Sequence, residues 1–212
     1  MAEAVRAREL SKQETREALL RAAMSVFAEQ GLDAPSLDAI CARAGFTRGA
    51  FYVHFRDRED LVAAVMERVL GAFLDAVVAA DEHGLQGTVQ RFAAAVSAQR
   101  EGRRRKARSS DPADAWGVAG VPFHQVLAAC QRSDDLRRRF VSILEEGARR
   151  VRRAAEAEGR ERPEALGTLL VLTALGVRVA LDLDLDVEVA PLRDAVLRLL
   201  RAAAPERAPG RA

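Results

Sequence analysis

The sequence predicts an all-α protein: a three-helix head with a helix-turn-helix, then a larger helical body, about nine helices in all. Three observations predict it. Apolar residues recur at helical spacing along nearly all of the 212 residues. Two short helical segments between residues 36 and 54 flank a tight Ala44-Gly45-Phe46 turn. Only one stretch, LDLDLDVEV at 181–189, alternates as a strand does. No second strand candidate exists to pair with it, and a lone strand leaves its backbone groups unsatisfied, so it is read as a helix end and a loop.

The elements follow in order. Ser11 and Glu14 form an S-x-x-E capping box, which predicts a helix start. Leu19, Ala23, Val26 and Phe27 continue the repeat, and Gly31 ends it. A second helix spans 36–43. Thr47 caps a third, running to about residue 54. Asp57 caps a fourth, with Glu59 and Asp60 in its first turn, where the helix dipole favours acids. Leu61, Val65, Val69 and Phe73 form its apolar stripe. Further helices are expected near 87–107, 119–131, 134–158, 163–182 and 189–203, with a loop at 109–120. The organisation expected is an arm and head at 1–56, a body at 57–204 and a disordered Pro/Ala/Arg-rich tail at 205–212.

Composition excludes more than it assigns. Apolar residues are 49% and charged residues 30%, as in a globular chain with a real core. The net charge of +2 neither demands nor forbids nucleic acid. Cys41 and Cys130 lack metal or disulfide-framework spacing. No secretory signal is visible, and the longest greasy run, 167–177, is too short to span a bilayer, so a cytoplasmic protein without a membrane partner is expected. Dinucleotide, P-loop, zinc-hydrolase and nucleophile-elbow motifs are absent from the sequence, so no enzyme and no cofactor is expected. Asp182, Asp184 and Asp186 mimic the start of a calcium loop, but its glycine and closing glutamate are missing, and no metal site is expected.

The segment AGFTRGAFYVHFRDREDL, 44–61, concentrates aromatic residues beside Thr47, Arg48 and Gly49. On a helix, Phe51 and Phe55 stack on one side and pin it to Val26, Phe27, Leu37 and Ile40. Arg48, Gly49, Tyr52 and Val53 fall on the opposite arc. That is the layout of a recognition helix, whose outward side chains enter the major groove. Arg48 suits a bidentate contact to guanine, Gly49 a close backbone approach, and Tyr52 and His54 phosphates or base edges. Residues 1–60 hold nine basic and ten acidic side chains, so binding rests on placement rather than on total charge. The basic run at 100–108 is read as a solvated helix end, with contact to flanking DNA backbone as the sharper alternative.

Residues 11–61 resemble the DNA-binding head of the TetR family of bacterial transcription regulators. The matching pieces are TREALLRAAMSVFAEQG, PSLDAICARAGFTRGAFYVHF and RDREDL. The resemblance implies an all-helical homodimer, a fourth helix leading into a ligand-binding body, and a dimer made by the last two long helices. It places DNA contacts at Ser36, Thr47, Arg48, Gly49, Tyr52, His54 and Arg58. Two departures are Cys41, where the family commonly has alanine, and Arg58, where it commonly has lysine.

The function expected is a transcriptional repressor, released from a palindromic double-stranded operator by a small, mostly apolar effector. The alternative is control by a protein partner or by cysteine oxidation. A ligand pocket is expected at Phe92, Trp116, Phe123, His124 and Phe140, among small residues such as Ala93. A homodimer interface is expected at Leu170, Ala174, Val177 and Leu181 of one helix, which is apolar nearly all round, and at Leu192, Val196 and Leu199 of the next. Arg178, which interrupts the first of these helices, is expected to pair with Asp182.

Overall fold

The computed structural model describes residues 2–78, 83–106 and 121–202, with side chains at 10–78, 83–101 and 121–201. Among these there are nine helices and no strand. They are α1 (Ala2–Gln30), α2 (Leu37–Ala44), α3 (Arg48–Tyr52), α4 (Arg58–Val77), α5 (Gly84–Lys106), α6 (Phe123–Arg132), α7 (Asp134–Ala157), α8 (Pro163–Asp182) and α9 (Val189–Ala202). Trp116, the 109–120 loop and the 205–212 tail lie outside the described residues.

Two details refine the sequence reading. Helix α1 runs unbroken from Ala2, so Ser11 starts nothing; its carbonyl accepts from the Thr15 hydroxyl at 2.9 Å, an interior pattern. Residues 2–10, AEAVRAREL, are mostly strong helix formers, so propagation through the capping box costs little. Helix α8 spans 163–182 as expected, so the greasy run 167–177 is only part of its apolar length. Its 20 residues are apolar enough to cross a membrane by length and composition, with a mean hydropathy of 1.7, although only 17% of that window is buried. Arg178 pairs with Asp182 at 3.2 Å, as expected from their spacing.

LDLDLDVEV is the end of α8 and a loop. The chain turns at Leu183 and Asp184, whose φ is +53°, and Arg100 ties the loop down through Asp186 at 2.6 Å and the Val187 carbonyl.

The chain forms two compact units. The first comprises residues 1–69 and 105–140, the second 70–104 and 141–212. Helices α4 and α7 each contribute to both. In the first unit Leu19, Val26, Phe27, Ile40, Phe51 and Leu61 are fully buried. Helix α6 and the start of α7 grip the head within this unit. The Leu32 N–H donates to Gln125 Oε1 at 2.7 Å, and Arg132 pairs with Asp33 at 2.7 Å. Arg139 reaches Asp60 at 3.0 Å and Asp135 at 3.1 Å.

The second unit has two small apolar clusters. One gathers Leu85, Val89, Val151, Ala155, Leu197 and Leu200; the other gathers Val96, Val177 and Leu181. Helices α7 and α8 cross closely at Gly167, where an added Cβ would sit 2.6 Å from the backbone carbonyl oxygen of Ala148. Gly167→Ala is therefore expected to destabilise by about 1–3 kcal/mol despite alanine's better helix propensity. Thermal unfolding should fall by about 2–4 °C per kcal/mol; an unchanged or raised melting temperature would show that the crossing tolerates the methyl group.

Candidate nucleic-acid interface and body cavity

The helix-turn-helix is built by its caps. The Ser36 hydroxyl accepts from the Ala39 N–H at 3.1 Å and starts α2. Gly45 ends it at φ +77°, a left-handed conformation that glycine adopts without strain. Two residues later the Thr47 hydroxyl accepts from the Ala50 N–H at 3.3 Å and starts α3. Helices α1, α2 and α3 pack on one another, and Phe51 and Phe55, with ring centroids 5.3 Å apart, fasten α3 to that core.

The opposite face of α3 is bare. Thr47, Arg48, Gly49, Tyr52 and Val53 are exposed, Tyr52 to 53%. Arg48 pairs with Asp38 at 3.5 Å. The Tyr52 side chain and then the Asp38 carboxylate hold its guanidinium above its ordinary pKa. A Cβ on Gly49 would meet only the Thr47 hydroxyl, at an ordinary 3.6 Å, so nothing inside the protein requires glycine there. His54 is half-buried. Desolvation, then Lys12 and Arg16, push its imidazole below the usual value, which leaves it neutral at pH 7. Arg16 lies over the Phe55 ring at 5.2 Å. Lys12 and Arg16 thus place positive charge beside the neutral His54 at the end of α3. Sequence reading missed Arg16 because its link to Phe55 spans most of the head.

Arg58 departs from the expectation. Its guanidinium donates to the Leu32 carbonyl and stacks 5.7 Å over Phe27, so it fastens α4 to the head and does not point out with Arg48 and Tyr52. The longer, planar guanidinium finds a carbonyl and a ring face within reach, and both satisfy it. Ser36 is spent partly on its cap but remains exposed.

A cavity of about 90 Å³ lies in the second unit, between its two apolar clusters. Phe73, Leu74 and Val77 of α4, Phe92 of α5 and Val151 of α7 form part of its wall. Among the described aromatics expected to converge, only Phe92 is there, edge-to-face with Phe73 at 6.1 Å. Phe123 and Phe140 pair with each other at 6.0 Å in the first unit, and His124 is exposed. The reason is that α6 is fixed to the head through Gln125 and Arg132, which carries its aromatic residue there.

Most residues expected at the interface sit inside the second unit. Leu170, Ala174, Val177, Leu192 and Val196 line the cavity, and Leu181 is buried beside it. The outward stripe of α8 is instead Leu169, Leu172, Gly176 and Val179, and only Leu199 of the expected set is exposed. A helix apolar on all sides gives no periodic sign of which side faces its own core.

Caps, glycine turn, buried aromatic pair and bare polar arc define a helix-turn-helix DNA-binding head. Residues 19–65 match the model for bacterial regulatory proteins of the tetR family. It is 46% identical over 55 residues to the HTH-type transcriptional regulator AcrR of Shigella flexneri, covering 26% of each chain. It is 47% identical over 55 residues to the HTH-type transcriptional repressor BepR of Brucella suis biovar 1 (strain 1330), again 26% of each. The match thus spans about a quarter of the length of these curated relatives. The fold is shared more widely. A TetR-family transcriptional regulator from Pectobacterium atrosepticum superimposes with TM-score 0.62 at 23% identity, over 94% of this chain and 98% of the other. A SmeT–triclosan complex does so with TM-score 0.57 at 24% identity, over 93% and 98%.

Proposed function

We propose that the protein is a cytoplasmic transcriptional repressor that binds a palindromic operator as a dimer and leaves it when a small, mostly apolar molecule enters the body cavity. One observation carries this reading. Helix α4 begins among the buried residues of the head, Leu61 to Met66, and ends with Phe73, Leu74 and Val77 in the cavity wall. A ligand that binds one position of α4 better than another shifts the population toward it, and the head moves with its own helix. A relative named a repressor and a structural neighbour solved with triclosan support the reading.

Oxidation control is less favoured. Cys41 and Cys130 are both buried, and burial pushes each thiol above its ordinary pKa, the state of an unreactive thiol.

The dimer is proposed to form through the outward faces of α8 and α9. Leu172, 60% exposed, stands in the middle of that stripe. Leu172→Glu is expected to sediment as a monomer at micromolar concentration where the unmodified chain is a dimer, and to lose operator affinity with it. A dimer unaffected by the charge would move the interface elsewhere.

Operator selection with the purified protein tests the central reading. A two-fold symmetric site should emerge. Its affinity should fall with salt at a log–log slope of about −0.9 per phosphate neutralised. No enrichment of any duplex would sink it.

A further inference from the structure

We infer that the body cavity takes an uncharged molecule with no hydrogen-bonding group, a hydrocarbon or a halogenated hydrocarbon. This rests on the ligand-controlled reading above and narrows its ligand from mostly apolar to wholly so.

Almost no polar surface faces the cavity. Its wall comes from α4, α5, α7, α8 and α9, and a helix spends its backbone groups on itself. Helix α4 ends at the wall, where a helix normally leaves carbonyls without a partner. Here the Leu74 carbonyl accepts from the Val78 N–H at 2.8 Å, and the Val77 carbonyl from Arg91 Nε at 2.9 Å.

Three polar side chains line the wall, Thr88, Thr173 and Arg193, and each is already engaged. The Thr88 hydroxyl donates to the Gly84 carbonyl at 3.1 Å, and the Thr173 hydroxyl to the Leu169 carbonyl at 2.8 Å. Arg193 places both Nε and Nη2 on Asp194 Oδ1 at 2.8 Å, and Asp194 does not line the cavity. An anion drawn to that edge of Arg193 would have to displace the carboxylate. Among the described residues, no buried polar side-chain atom of the wall lacks a hydrogen bond. A site for a polar ligand presents a few groups for it to bond; this wall presents none that is not already taken.

The consequence falls on the ligand. A hydroxyl, amine or amide placed among Val89, Val151 and Val177 gives up its water without replacement, which costs roughly ten-fold or more in affinity. A carboxylate or ammonium loses more still. A methyl group, a ring edge or a chlorine forfeits no strong hydrogen bond and gains contact with Phe73 and Phe92. The cavity thus selects by what the ligand lacks. Its volume of about 90 Å³ is of the order of an engineered apolar cavity, roughly 150 Å³, that stays dry and admits benzene, so one-ring compounds are the fitting probes.

The test uses the full chain with benzene, toluene, chlorobenzene and cyclohexane, against phenol, aniline, benzyl alcohol, benzamide and benzoate. Calorimetry in sealed cells and fluorine NMR of fluorobenzene displaced by each compound read binding. Fluorescence anisotropy with the selected duplex reads DNA release. Toluene and chlorobenzene are expected to bind at least ten-fold tighter than every polar compound of the set. Ala174→Phe should remove their binding, and Ala93→Leu repeats that test should the first variant fold poorly by circular dichroism. Arg193→Gln should leave the ranking unchanged. A polar compound that binds as tightly as toluene, no binding by any of the hydrocarbons, or hydrocarbon binding that survives both filled variants would each overturn the inference. If the hydrocarbons bind as expected but the duplex stays bound, the ligand class stands and the release mechanism fails. If a polar compound releases the duplex while the hydrocarbons are inert, release stands and this inference fails.

Discussion

Phe51→Ala is expected to abolish DNA binding by melting the head. The side chain is 0% exposed, and its ring touches Phe55 and Tyr52, each at a centroid distance of 5.3 Å. Emptying so large a buried site costs about 3–5 kcal/mol. That is a large share of the stability of any single domain, typically about 5–15 kcal/mol. A five-residue α3 has no other anchor of that size, so the loss falls first on the element that presents Arg48. Circular dichroism should show lost helix or an earlier transition, with no duplex shifted at any concentration where the unmodified chain binds. Tyr52→Ala, on the exposed side of the same helix, should leave the fold intact. If Phe51→Ala binds the operator normally, the aromatic pair is not what holds the reading helix.

Arg48→Ala is expected to weaken operator binding by about 1–3 kcal/mol, roughly five- to 150-fold, and to relax preference at one base pair, with the fold unchanged. The motive is its exposed position beside Tyr52 and its partner Asp38, 3.5 Å away on the preceding helix. Asp38 complicates the size of the effect. With Arg48 gone, an exposed carboxylate faces the phosphates unmatched, and repulsion adds to the lost contact. Asp38→Asn in the Arg48→Ala background should recover part of the affinity without recovering the specificity. Selection experiments with both proteins check this; an Arg48→Ala protein with unchanged affinity and sequence preference would assign base reading to other side chains.

The head was legible because its instructions are local. Ser36, Gly45, Thr47 and Asp57 act within four residues of themselves, and each does in the structure what its type and position foretold. Phe51 and Phe55 needed only the helical period to be placed on one side. The body was legible as helices and illegible as a site. Nothing near Phe123 in sequence says that Gln125 will reach Leu32, a residue 93 positions away, and carry α6 to the head. Arg58 shows the same limit at short range, since its choice between solvent and the Leu32 carbonyl depends on where the preceding turn lies. The all-apolar α8 hides its two faces because a periodic signal needs polar residues to interrupt it.

Those two faces have a consequence for dosage. Leu170, Ala174 and Val177 look into the cavity from α8, while Leu169, Leu172 and Val179 of the same helix look out to solvent. A small molecule on one side and a second copy on the other would press on a single rigid rod. By thermodynamic reciprocity, whatever factor the molecule applies to the association of the copies, association applies to the molecule. The affinity measured for that molecule then depends on how much of the protein is present. A cell holding few copies and a cell holding many would answer to different concentrations of the same compound, with no change in any side chain that touches it.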